Sequence, residues 1–332
     1  MGKAAKVFKW TGIVLGSIIV LLVAAVFILN SQSYDAPYPD IKASKDSAVI
    51  ARGEYLAYGL AHCAGCHVSS VEDYAKIAAG QRVPLVGGFE FQLGPLGIVR
   101  PSNITSDPET GIGKWSDQEI ARSLRYGVGH DGRALFDFMP FHNLSDEDLT
   151  AIISFLRAQP PVKKQVEVRD LSFLGKAINA FMIRPVGPEG EVAKSVKPDT
   201  TAEYGKYLAH YVANCRGCHT NRDLTTGAYT GPDFAGGLVM ESVLVPGTVC
   251  VTPNLTPDPE TGHITKWSEE QFITRFRSGQ IVKASEMPWD MFKTATDNDL
   301  KAIYRYLKSL KPIKNKIEKI VTTKEELEKQ AS

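Results

Sequence analysis

Cys63-Ala64-Gly65-Cys66-His67 returns 152 residues later as Cys215-Arg216-Gly217-Cys218-His219. A paired Cys-x-x-Cys-His reads as two sites of covalent haem c attachment. Residues i and i+3 project from one face of a helical turn, so both thiols reach the two vinyl groups of one porphyrin, and the next histidine reaches its iron. His67 and His219 are therefore the expected proximal ligands. A redox Cys-x-x-Cys pair or half of a zinc site are the competing readings. Zinc needs a second ligand pair at close spacing, and neither alternative explains a histidine occurring twice in the same place.

The motifs sit inside a larger duplication. Asn103-Ile-Thr-Ser-Asp-Pro-Glu-Thr-Gly runs on to Trp115-Ser-Asp, and Asn254-Leu-Thr-Pro-Asp-Pro-Glu-Thr-Gly runs on to Trp267-Ser-Glu with one residue inserted. Met139-Pro140 corresponds to Met287-Pro288, and Leu149–Leu156 to Leu300–Leu307. Two homologous, mostly α-helical domains follow, residues 31–161 and 201–313, each with one haem. Helices are expected over Ser47 to His62 and Thr201 to Asn214, leading into the haem motifs. Capping boxes at Ser116-Asp-Gln-Glu119 and Ser268-Glu-Glu-Gln271 open a second pair, and Ser145 and Thr296 a third. The Gly- and Pro-rich segments from Val83 to Pro101 and from Thr226 to Pro253 carry few strand signals. Residues 162–200 read as a linker holding an amphipathic helix, Leu171–Met182, in the domain interface. Residues 314–332 read as a charged tail, solvated or disordered.

From Thr11 to Leu29 there is no charged residue, a length that crosses a bilayer, and Lys3, Lys6 and Lys9 precede it. Positive flanks stay in the cytoplasm, so residues 1–30 read as a single-pass anchor touching lipid through residues 11–29, with everything after Asn30 exported. Ser31-Gln-Ser33 offers a cleavage site for the alternative, a removed signal peptide, but the apolar run is longer than the usual signal core.

The formal charge of +1 conceals an asymmetry. Residues 31–160 hold 11 basic and 16 acidic side chains, whereas residues 161–332 hold 24 and 21. No basic stripe points to nucleic acid, and the polarity between halves suits the orientation of docking partners. Of the five cysteines only Cys250 lies outside the haem motifs. It reads as a buried free thiol packed as a small hydrophobe.

Met139 and Met287 are the candidate distal iron ligands, because both occur as Met-Pro at matching points and proline holds the loop's backbone. Met291 and His142, close by, are the competitors for a ligand swap. His62, His130, His210 and His263 are assigned to surfaces, turns or haem-edge hydrogen bonds. A thioether ligand favours reduced iron, and six-coordinate iron leaves no place for peroxide or oxygen. The expectation is thus an outer-sphere electron carrier with no catalytic acid/base pair.

At these residues the chain resembles the class I cytochromes c, and more closely the membrane-bound cytochrome c subunits of bacterial alcohol and gluconate-type dehydrogenases and related diheme cytochromes. The resemblance covers roughly residues 47–160 and 200–313. It implies helices wrapped around each haem, Asn103 and Asn254 near the propionates, and Trp115 and Trp267 near the haem edges. It implies as partners a membrane redox complex or dehydrogenase and a small cytochrome or oxidase. The chain departs from the dehydrogenase subunits in having two haem motifs rather than three and an anchor at its start rather than its end. Diheme peroxidases and thiosulfate dehydrogenases are the enzymatic alternatives; the former need an open distal position, whereas both copies here offer Met-Pro.

Overall fold

The computed structural model describes residues 2–223, 227–243 and 245–331. Thr226, where the second Gly-rich segment was expected to begin, lies outside them. The first helix, α1 (Lys3–Asn30), is long and apolar enough to cross a membrane, and most of its described side chains are exposed.

The first half continues with α2 (Ser47–Tyr58), α3 (Cys63–Cys66) and α4 (Val71–Ala78). Strands β1 (Phe91–Gln92) and β2 (Gly97–Val99) follow, then α5 (Asp117–Tyr126), α6 (Asp146–Ala158), β3 (Arg169–Leu171) and α7 (Phe173–Phe181). The second half repeats much of this order with α8 (Ala202–Tyr207), α9 (Cys215–His219), β4 (Val239–Glu241) and β5 (Thr248–Val251). It ends with α10 (Glu269–Arg277), α11 (Trp289–Phe292), α12 (Asp297–Ser309), β6 (Val321–Thr323) and α13 (Lys324–Ala331).

The capping signals act as read. Ser116 and Glu119 close one capping box, Ser268 and Gln271 the other, and Ser145 and Thr296 cap α6 and α12 by accepting from Asp148 and Asp299 amides. The helix expected to reach His62 stops at Tyr58, because Gly59 leaves helical geometry. Its counterpart instead widens into a π-helical turn over Leu208–Val212.

In each half the first and last helices cross at a glycine. A Cβ on Gly53 would lie 1.8 Å from the Ala151 carbonyl oxygen, and one on Gly205 would lie 1.9 Å from that of Ala302. Only glycine permits α2 against α6, and α8 against α12, at that separation. Leu56, Leu149, Ile153, Leu208, Leu300 and Ile303 around these crossings are fully or almost fully buried, in one hydrophobic core that runs through both halves.

Each half also carries a three-stranded antiparallel sheet, β1-β2-β3 and β4-β5-β6. The stretch read as a linker thus returns β3 to the first half's sheet, and the stretch read as a tail returns β6 to the second. Strands of two to four residues are too short to display a period-two pattern. The Leu171–Met182 region is helical as expected over Phe173–Phe181, but it packs on α1 and on the turn at Leu96 rather than between the halves. Cys250 is buried in β5 and its thiol donates to the Ala284 carbonyl at 2.6 Å.

Candidate haem-binding sites

Both Cys-x-x-Cys-His segments form a single helical turn, α3 and α9, entered through a residue in left-handed geometry. His62 (φ 40°) and Asn214 (φ 50°) hold that position, and among the described residues only Phe234 joins them as a non-glycine with positive φ. Asparagine tolerates the conformation, and its side chain caps the turn by accepting from the Gly217 amide at 3.2 Å. Each turn therefore presents two thiols on one face with its histidine just beyond.

The four thiols are half-buried and unpaired with one another. Burial pushes Cys63 and Cys215 up to about 12 and Cys66 up to about 11, and raises Cys218 as well. A thiol–disulfide redox centre works through a depressed thiol pKa, so these sites have the opposite character. Among the described residues, no three His, Cys, Asp or Glu side chains gather as a metal cluster.

The histidines are almost fully buried and alike in their bonding. His67 Nδ1 donates to the Ser102 carbonyl at 2.8 Å, and His219 Nδ1 to the Pro253 carbonyl at 3.0 Å. This sets the tautomer: the proton sits on Nδ1, and Nε2 keeps its lone pair for a metal. Burial lowers the pKa of both, His219 to about 4, so each ring stays neutral, as ligation requires. Two thiols and a tautomer-locked imidazole on adjoining residues are the donor set that a c-type haem uses, and both halves supply it. The carbonyl partners were not picked out from sequence. Their signal was positional, since Ser102 and Pro253 immediately precede the matching asparagines.

Met139 and Met287 are partly buried against the core, as are Trp115 and Trp267. Each methionine carbonyl accepts from the amide two residues on, Phe141 at 2.8 Å and Trp289 at 2.7 Å. Pro288, between Met287 and Trp289, has φ −76° and ψ 59°, an inverse γ-turn. Of the two rival side chains, His142 is otherwise engaged. His142 uses Nδ1 on the Arg125 carbonyl at 3.2 Å and Nε2 on Asp137 at 2.9 Å, while Met291 is completely buried.

Asn103 and Asn254 are buried, and their amides are consumed within the protein. Asn103 donates to the Val162 carbonyl at 2.8 Å and to Thr110 at 3.2 Å; Asn254 donates to the Ile313 carbonyl at 2.8 Å and to Thr261 at 3.1 Å. Their carbonyl oxygens accept from Thr105 and Thr256. Each asparagine thus stitches its loop to the segment leaving the last helix. Bonds from the Thr110 and Thr261 amides and hydroxyls hold Asp107 and Asp258 below the usual carboxylate range. Trp115 stacks on His130 at 4.1 Å and Trp267 tilts against His263 at 5.4 Å.

The halves meet at these sites. His62 packs edge-on against Phe292 at 5.6 Å, so the turn before the first haem motif touches the helix that follows Met287.

No family model matches the chain. It is 31% identical over 315 residues to the alcohol dehydrogenase (quinone) cytochrome c subunit of Gluconacetobacter polyoxogenes, covering 87% of this chain and 61% of that protein. It is 26% identical over 302 residues to the gluconate 2-dehydrogenase cytochrome c subunit of Pantoea cypripedii, covering 85% and 64%. It is 27% identical over 277 residues to a diheme cytochrome c-type protein of Cereibacter sphaeroides, covering 79% and 86%. The chain spans about three fifths of the length of the dehydrogenase subunits it matches. These similarities support a c-type cytochrome with a general electron-transfer role, accessory to catalysis rather than catalytic itself.

Proposed function

We propose that this chain is a membrane-anchored diheme cytochrome c that relays single electrons on the exported side of the cytoplasmic membrane. The observation that carries this reading is the matched pair of bonds from His67 to Ser102 and from His219 to Pro253, each beside a two-thiol turn. Cys63 and Cys66 hold one haem c and Cys215 and Cys218 the other, with His67 and His219 proximal. Met139 and Met287 are the distal ligands, fixed by their γ-turns. Bound haem supplies reversible one-electron chemistry; the chain orients it, buries it and sets its potential. The units are residues 31–161, completed by β3, and residues 201–313, completed by β6, and residues 1–30 are the anchor.

The partner class follows from the relatives, which are named as cytochrome c subunits of alcohol, gluconate and fructose dehydrogenases. A membrane dehydrogenase or similar complex is the donor, and a small cytochrome or oxidase the acceptor. Stopped-flow mixing tests the carrier role. Fast exchange with small cytochromes, with no turnover of peroxide, thiosulfate or alcohols, is expected. Rapid saturable turnover of any of those substrates contradicts it in favour of a peroxidase or thiosulfate dehydrogenase.

A further inference from the structure

We propose that α7 is a second membrane contact, lying in the headgroup layer of the exported leaflet against the end of α1. The proposal rests on the reading that α1 is retained and crosses the bilayer. Leu174, Ile178 and Phe181 fall at i, i+4 and i+7 on one face of α7. Leu174 is 50% exposed and Phe181 47%, and Phe173 and Met182 at the helix ends are open as well. The other side is committed to protein. Gly175 lies so close to the Leu96 carbonyl that a Cβ would come within 2.0 Å of it.

The depth of α7 follows from where it is tied. Asn179 donates to the Asn30 side chain at 2.6 Å, and the Lys176 ammonium lies 6.0 Å above the Phe27 ring. Asn30 is the last residue of α1. The uncharged run before it rises about 28 Å at about 1.5 Å per residue, close to the roughly 30 Å of a hydrocarbon core. A helix bonded to Asn30 therefore sits at the boundary between acyl chains and headgroups. There an exposed apolar stripe is covered by lipid rather than left in water.

The charges agree. From Leu171 to Pro188 the only ionisable side chains are Lys176 and Arg184, and no acid is present. Arg184 also donates to the Ala180, Ile183 and Phe181 carbonyls at the end of α7. A segment whose only charges are two cations, Arg184 at the end of α7 and Lys176 on its α1 side, suits anionic headgroups. The occupant of this face is thus the bilayer, and α1 and α7 together hold the first half at two points.

The test places the photocrosslinker p-benzoylphenylalanine in turn at Leu174, Phe181, Ile19 and Ile281 of the full chain. Ile19 lies mid-span on α1, and Ile281 is an equally open apolar position on the second half, 63% exposed. Each variant, checked for unchanged haem absorbance, is irradiated in phosphatidylcholine–phosphatidylglycerol vesicles and in native membranes. Lipid adducts at 174 and 181 comparable to those at 19, with background at 281, are expected. Adducts at 19 with background at 174 and 181 overturn the proposal and leave the anchor standing. Background at 19 as well removes the anchor reading itself. Crosslinks from 174 and 181 to a polypeptide in native membranes assign the face to a protein partner and also overturn it.

Discussion

Tyr207 of the second half donates to the Asp148 carboxylate of the first at 2.8 Å, while its oxygen accepts from the Ser145 amide at 3.1 Å. The duplication returns the arrangement in reverse: Tyr55 donates to Asp299 and accepts from the Thr296 amide at 2.9 Å. Each half's first helix thus caps the other's last, a reciprocal exchange with the logic of a two-fold interface inside one chain. Asp148 also pairs with Arg52 at 2.8 Å. Burial, and then the carboxylate, raise Tyr207 well above the ordinary tyrosine value, so it stays a donor.

Tyr207→Phe therefore removes a buried bond to a charged group, and a loss of about 1.5–3 kcal/mol is expected by denaturant titration. Combined with Tyr55→Phe, it should split one unfolding transition into two. A single transition of unchanged midpoint in the double variant contradicts a coupled interface.

Gly53→Ala and Gly205→Ala place a methyl group inside a backbone carbonyl of the facing helix. The carbonyl cannot rotate away, so each variant should lose about 3 kcal/mol, at the upper end of the overpacking range. The two losses should agree closely because the crossings are alike. Thermal melts that leave either variant at the wild-type midpoint contradict the close crossing.

Acid should destabilise the second half through His210, which bonds Tyr306 at 2.6 Å and whose pKa burial lowers from 6.5 to about 4. Its neutral form belongs to the fold, and protonation favours the unfolded chain. This contribution is complete above about pH 6.5 and is lost as the pH falls toward about 4. His210→Gln lacks the titration, so its denaturation midpoint should fall less than the wild type's across that window. Parallel curves contradict the assignment.

Met139→Ala and Met287→Ala should each convert one ferric haem to a high-spin spectrum or to a low-spin spectrum with a different sixth ligand. The corresponding midpoint potential should fall within the roughly 0.8 V that axial ligands command. A pair of variants with wild-type spectra and potentials removes the methionines from the iron.

What was readable in the sequence was local. The Cys-x-x-Cys-His turns, the boxes at Ser116 and Ser268 and the starts at Ser145 and Thr296 each depend on residues within four positions, and each forms where its pattern lies. The duplication also pointed to matched functional positions, and the twin histidine bonds match. What stayed hidden depends on distance. Tyr55 meets a partner 244 residues away, and no local pattern marks it. Asn103, expected near a haem propionate by resemblance, spends its amide on Val162, a partner visible only once the chain has folded back. β3 and β6 have three residues each, and their place is set by the strands they join rather than by their own periodicity. The amphipathic pattern of α7 was legible, but its neighbour was not, because an apolar face does not say what covers it.

If this chain is a diheme cytochrome, both Cys-x-x-Cys-His turns carry covalent haem. Intact mass of the denatured chain, together with its pyridine haemochrome spectrum, tests this directly. A mass increment of two haem groups and free thiol at Cys250 alone are expected. Converting Cys63 and Cys66, or Cys215 and Cys218, to alanine should remove one haem each time and leave the other. A denatured chain that releases its haem, or that carries fewer than two groups with reactive thiols in either turn, contradicts it.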